Sequence, residues 1–220
     1  MPQHLRESRY TDKDLEFLID AVSPGVSDRI RLRQILREDE DFRTALIGDD
    51  KIFRRLMHDE EILLKISPAL YFEILLRKAV KDLSRSSYTL EKTTTMSIPV
   101  FDTGDLVELL SKEPLLVYLA DMLSSFTRIE SHTFSIRVGD RVWKKIRFND
   151  LDIKSLMRFC EAVDEELRLG LYKRIADISL FILGIFPDFV ESNYRYPLSG
   201  KIRPQFGKNY RISPQEYEKT

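Results

Sequence analysis

Two basic stretches are the parts of this sequence whose residue types and spacing point to chemistry. Arg137, Arg141, Lys144, Lys145 and Arg147 crowd one short segment with Trp143, against the single acid Asp140. Arg195, Lys201, Arg203, Lys208 and Arg211 recur near the C-terminus, interleaved with Tyr194, Tyr196, Phe206 and Tyr210. Basic side chains offset phosphate charge, and aromatic rings stack on bases. The same residues also fit a solvated hairpin face and a tail that packs its rings on the protein's own acidic helices.

The other candidate constellations do not assemble. Asp102-Thr103-Gly104 has the Asp-Thr-Gly order of aspartic proteases, but that chemistry needs two carboxyls sharing a proton, and here the triplet reads as a helix N-cap. The intervals from Arg54 and Arg55 to His58, and from Arg128 to His132, are too short for the Arg–His pairing of helical nucleases. Glu161, Asp164, Glu165 and Glu166, like the run Glu38-Asp39-Glu40-Asp41, lack the Glu-x-x-His partners of a carboxylate-bridged metal pair and read as solvated helix faces. One cysteine and three histidines (His4, His58, His132) cannot build a Cys/His-only zinc site. Cys160 falls on an apolar stripe, as a small buried hydrophobe does. Phosphate-binding glycine loops are absent. A helix-turn-helix over Ser27 to Met57, with Gly48 in the turn and Arg54 and Arg55 on the second helix, is opposed by the acids around it. No catalytic residue, metal site or cofactor is therefore expected.

The elements that must position the two basic stretches are mostly helical. Thr11 before Asp12-Lys13-Asp14 is a loose capping box, followed by Leu15, Leu18, Ile19 and Val22 as a stripe. Ser27 is expected to cap the next helix, with Ile30, Leu32, Ile35 and Leu36 inward. Short helices follow around Phe42, Ala45 and Leu46, then Ile52, Phe53, Leu56 and Met57. Ser67-Pro68 opens a better one, with Leu70, Tyr71, Ile74, Leu75 and Ala79 facing the core. Ser84 to Phe101, rich in hydroxyl and β-branched residues, reads as a loop with one or two strands. Helices start at Asp102-Thr103-Gly104 and at Pro114.

Ser131 to Phe148 is the clearest β signal, alternating apolar and polar about Gly139-Asp140. A two-residue loop would pair Ile136 with Trp143. A three-residue loop would pair Val138 with Val142 and leave Lys144 on the apolar face. From Asn149 or Asp150 a long helix is expected to Leu169. A helix apolar nearly all round then runs from Gly170 to Glu191, and is taken as the buried centre of a single core against which the short helices pack. It is too short and polar for a membrane span. Ser192 to Ile212 is turn-rich and acid-free, and Ser213-Pro214-Gln215-Glu216 has the form of a helix start.

The 220 residues are 43% hydrophobic and 32% charged with net charge −1, so any electrostatic role must come from local segregation of charge. The expected fold class is mostly α: a single compact helical bundle-like domain over 1–191, with an inserted β-hairpin at about 133–148 and an irregular basic-aromatic extension over 192–220. Within the domain, a short-helix cluster spans 11–83, a β or loop insert 84–101, helices 103–126 and helices 150–186. The lone cysteine and the lack of an apolar leader suit a cytoplasmic, membrane-free protein. The expected function is that of a non-enzymatic interaction or regulatory module acting through protein–protein contacts, with a protein partner or a second copy. The alternative is a DNA- or RNA-associated protein using the hairpin and tail, and third comes a hydrolase or nuclease.

Overall fold

Helix α1 (Asp12–Val22) begins as its sequence requires. The Thr11 hydroxyl accepts the Asp14 amide at 3.2 Å, while one Asp14 carboxylate oxygen accepts the Thr11 amide at 2.7 Å. The other Asp14 oxygen accepts the amide of Ser67 at 2.6 Å, and Ser67 is itself the N-cap of a later helix. Asp14 is wholly buried, and its removal from water is offset because both oxygens take amide donors that would otherwise have no partner. One capping box thus ties two helix starts together.

The computed structural model describes residues 9–92, 97–101, 103–128, 131–139 and 142–186. Helices α2 (Arg29–Glu38), α3 (Glu40–Ile47), α4 (Asp50–His58), α5 (Ile62–Lys65) and α6 (Pro68–Leu83) follow α1. The small hairpin β1 (Thr89–Lys92) and β2 (Ser97–Val100) precedes α7 (Thr103–Leu110) and α8 (Glu113–Ser125). Then come β3 (Ser131–Gly139), β4 (Val142–Asn149), α9 (Ile153–Ala162) and α10 (Glu165–Ile185). The fold is mostly helical with an inserted β-hairpin. No described helix is long and apolar enough to cross a membrane.

The chain divides into two compact units, residues 1–127 and 128–220. In the first, Leu15, Leu18, Ile19, Leu36, Ile47, Ile52, Leu56, Ile62, Ile66, Leu70 and Ile74 are among the buried residues of one cluster supplied by α1–α6. Each fully buried Leu or Ile contributes about 1.5–3 kcal/mol, so helices this short hold only by pooling their few inward residues. A core centred on residues 170–191 is the sequence expectation, whereas this cluster contains no residue of α10. Several expected inward residues stay out: Ile30, Phe42 and Met57 are exposed. A helix of about ten residues reaches a shared core with one or two positions, and the edges of its apolar stripe remain in water. The second helix is capped by Asp28, whose carboxylate accepts the Arg31 amide at 3.0 Å, in place of Ser27. Arg43, buried, donates to the carbonyls of Leu36 and Arg37 at 2.7 and 3.2 Å and so closes the C-terminal end of α2.

In the second unit the expected helix break at Gly170 lies instead at Val163-Asp164. Asp164 is the extended N-cap of α10, with Glu165 and Glu166 complementing the dipole in the first turn. Gly170 is an ordinary helical position, with no atom within 4 Å of where a Cβ would stand. Ile153, Leu156, Phe159 and Cys160 form the buried stripe of α9, and α9 lies against both α10 and β4. Arg174 joins α10 to the β4–α9 connection, donating to the Asp150 carbonyl at 3.1 Å and its carboxylate at 2.9 Å.

Helix α10 is not apolar-buried all round. Ile175, Ile178 and Ile182 are buried, but Leu169, Tyr172, Leu180 and Ile185 are exposed. Conversely, Asp177 and Ser179 are buried. Asp177 accepts from Lys173 Nζ at 2.8 Å, and the Ser179 hydroxyl donates to the Ile175 carbonyl at 2.8 Å. Local pairing lets polar groups go inward, so polarity does not mark the outer edge of this helix.

Candidate functional site

The β3–β4 register decides what the basic hairpin presents. Gly139 pairs with Val142 at the turn, and the next pair is Arg137 with Trp143, so Val138 is an unpaired bulge residue. Below it run Ile136–Lys144, Ser135–Lys145, Phe134–Ile146, Thr133–Arg147, His132–Phe148 and Ser131–Asn149. Neither expected turn is present as drawn: the loop is two residues long, yet the ladder beneath follows the three-residue register.

Strand residues alternate between faces with a period of two. The register therefore places Arg137, Trp143, Lys145 and Arg147 on one face, together with Ser131, Thr133, Ser135 and Asn149. It places Lys144 on the other, with Phe134, Ile136, Ile146 and Phe148. Lys145 is exposed, which identifies the first face as open to solvent. Of the basic residues singled out in the sequence, the hairpin thus brings three together with the tryptophan and separates Lys144 from them. Arg141, Arg195, Lys201, Arg203, Lys208 and Arg211 lie outside the described residues, as do His4, Asp102, the aromatic tail and the helix start at Ser213.

A second constellation is one that sequence reasoning missed. Glu73 on α6 is wholly buried. Its carboxylate accepts from Tyr10 Oη at 2.7 Å, from Arg77 Nε and Nη2 at 3.1 and 2.7 Å, and from Arg9 Nη1. Arg77 continues to Glu113 at 3.0 and 2.5 Å, and Arg9 to Asp121 at 2.9 Å, both acceptors belonging to α8. The Tyr10 ring lies between two guanidinium groups, 5.2 Å from Arg9 and 5.1 Å from Arg43.

Burial pushes the Tyr10 hydroxyl well above its usual range, and Glu73 adds to the shift. Burial opposes the Arg9 charge, but Glu73, Tyr10 and Asp121 more than offset it and raise its pKa. Burial likewise opposes the Arg77 charge, and Glu113 with Glu73 turns the balance upward. Every group is held in one protonation state by partners it already has. Such a network fixes α6, α8 and the N-terminal segment in place, and leaves no acid or base poised to exchange a proton. The sequence signal for it is slight: Glu73 and Arg77 stand one turn apart beside the Leu70–Ile74 stripe, and the partners Arg9 and Tyr10 are 64 and 63 residues away.

No family model, curated protein or solved structure matches this chain. Its site must be argued from its own residues.

The other candidates resolve simply. His58 is exposed, its Nδ1 2.7 Å from the Arg54 carbonyl of the preceding turn. Cys160 is buried, and burial raises its thiol pKa, the setting of an unreactive thiol. Glu161, Asp164, Glu165 and Glu166 are exposed around the α9–α10 break. Among the described residues no three His, Cys, Asp or Glu side chains are grouped to hold a metal ion.

The unit boundary also divides the charge. Residues 1–127 carry 18 Lys and Arg against 23 acids, and residues 128–220 carry 17 against 13. The near-zero total is thus −5 on one unit and +4 on the other.

Proposed function

We propose that this protein is a non-enzymatic interaction module whose β3–β4 hairpin engages an anionic partner surface. The observation that carries the reading is the register, which collects Arg137, Trp143, Lys145 and Arg147 on the face to which the exposed Lys145 belongs. That face holds no acid and no aliphatic residue. The positive balance of residues 128–220 favours the same partner charge at longer range. The buried ionic cluster supports a non-catalytic reading, because its charges are consumed in holding helices together. A protein partner with an acidic face, including a second copy of this chain, meets the same requirement as a phosphate polymer.

Binding of the full-length protein to heparin, a generic polyanion, at 50 and 200 mM salt tests the proposal. Salt-sensitive binding is expected, together with its loss in the double variant Lys145→Glu/Arg147→Glu. Binding that the double variant leaves unchanged, or no binding at low salt, rejects the hairpin as the contact surface.

A further inference from the structure

We infer that the ligand of the hairpin face is single-stranded nucleic acid, laid along β4 with a base stacked at Trp143 and its backbone running past Lys145 and Arg147. The inference rests on the proposed anionic-partner reading and specifies the partner's chemistry.

Its basis is the spacing that the register imposes. Residues two apart on a strand stand about 7 Å apart along it, so Trp143, Lys145 and Arg147 form a line of three stations on β4. That interval is comparable to the separation of successive phosphates on an extended single strand. Arg137 is paired directly across from Trp143, placing a third cation at the stacking station. The β3 residues opposite the other two stations are Ser135 and Thr133, with Ser131 beyond. Hydroxyl groups there suit sugar and phosphate oxygens, and small side chains leave the cations unobstructed.

The tryptophan separates the ligand classes. A two-stranded ribbon can enter a duplex major groove, but paired bases offer no free ring face at a groove wall. An acidic protein surface satisfies Lys145 and Arg147 and gives an indole in line with them nothing comparable to stack on. An unpaired base does, and base–aromatic stacking is tolerant of sequence. The inferred binding is therefore weakly sequence-selective and salt-dependent.

The test uses the full chain and four probes: a mixed-sequence 12-nucleotide single-stranded DNA, its RNA counterpart, the DNA duplex, and polyglutamate. Trp143 is the sole tryptophan, so its fluorescence reads the site directly. Single strands are expected to quench it and to bind more tightly than duplex or polyglutamate. Trp143→Ala should weaken single-strand affinity about 5- to 150-fold, with Trp143→Tyr restoring much of the loss. Lys145→Ala should reduce the slope of log K against log salt by about 0.7, the share of one phosphate contact on a single strand. Lys144→Ala, on the opposite face, should leave the slope nearer its original value.

Equal affinity for single strand and duplex, an unaffected Trp143→Ala variant whose melt matches wild type, or a Lys144 effect as large as that of Lys145 overturns the inference. If polyglutamate binds, depends on Lys145 and outcompetes both single strands, the inference fails while the anionic-partner reading stands. If no polyanion binds, both fail.

Discussion

Glu73 shows how one carboxylate can organise a helical unit. It has three donors' residues around it and no water, so truncating it strands Arg9, Arg77 and Tyr10. Breaking a buried ion pair from one side costs about 3–5 kcal/mol. Glu73→Ala should therefore lower the melting temperature by on the order of 10 °C; a melt within a degree or two of wild type would remove the network from the account of stability. Tyr10 adds a pH dependence whose sign follows from its raised pKa. Below about pH 10, the ordinary tyrosine value, the hydroxyl is protonated folded and unfolded alike, and its contribution is complete. Above that, the unfolded chain releases the proton first, so stability falls as pH rises towards the folded value. Urea midpoints of wild type and Tyr10→Phe should keep a constant difference up to about pH 10 and converge or cross beyond it. A constant difference through pH 11 contradicts the assignment.

At the scale of elements, α10 offers the sharpest contrast. Ile182 is 7% exposed and Ile185, three residues on, 56%. Ile182→Asp should unfold the second unit, since an unpaired buried carboxylate costs several kcal/mol, whereas Ile185→Lys should stay within about 0.5 kcal/mol of wild type. Trp143 fluorescence against urea reads both, and similar midpoints for the two variants would refute the orientation of the helix. The existence of the helix was legible in its periodicity; its buried side was not. Leu169, Tyr172, Leu180 and Leu183 make a second apolar stripe that competes on equal terms with Ile175, Ile178 and Ile182, and sequence alone offers no means to choose between them. The inward Asp177 and Ser179 reinforce the ambiguity, because their satisfaction depends on contacts within the helix. Starts were easier to read than ends. Thr11, Ser67-Pro68 and Pro114 mark real starts because caps act locally, while the break at Val163-Asp164 has no glycine or proline to announce it. In the hairpin, alternation identified the strands and their turn, but the bulge at Val138, which places Lys144 apart from Lys145's partners across the ladder, is a backbone choice that composition does not record.

Taken as a whole, the molecule keeps two charge excesses of opposite sign on one chain, −5 on residues 1–127 and +4 on residues 128–220. A total near zero ordinarily suggests a protein indifferent to ionic strength. This one has instead the makings of a zwitterion on the scale of its units, with an isoelectric point near 6.4. Close to that pH, copies gain little from mutual repulsion, and the acidic unit of one is attracted to the basic unit of the next. Such attraction reaches about 30 Å at 0.01 M salt and only about 8 Å at 0.15 M. Colloidal behaviour should therefore run opposite to salting out: turbidity and the light-scattering mass at pH 6.4 should be highest in dilute buffer and fall as sodium chloride is raised to 0.15 M. Scattering that is flat or rises over that range would show that the two excesses do not act between copies. If it falls, moderate salt is the condition that keeps the protein in solution and, at the same time, the one that loosens the hairpin's hold on its ligand.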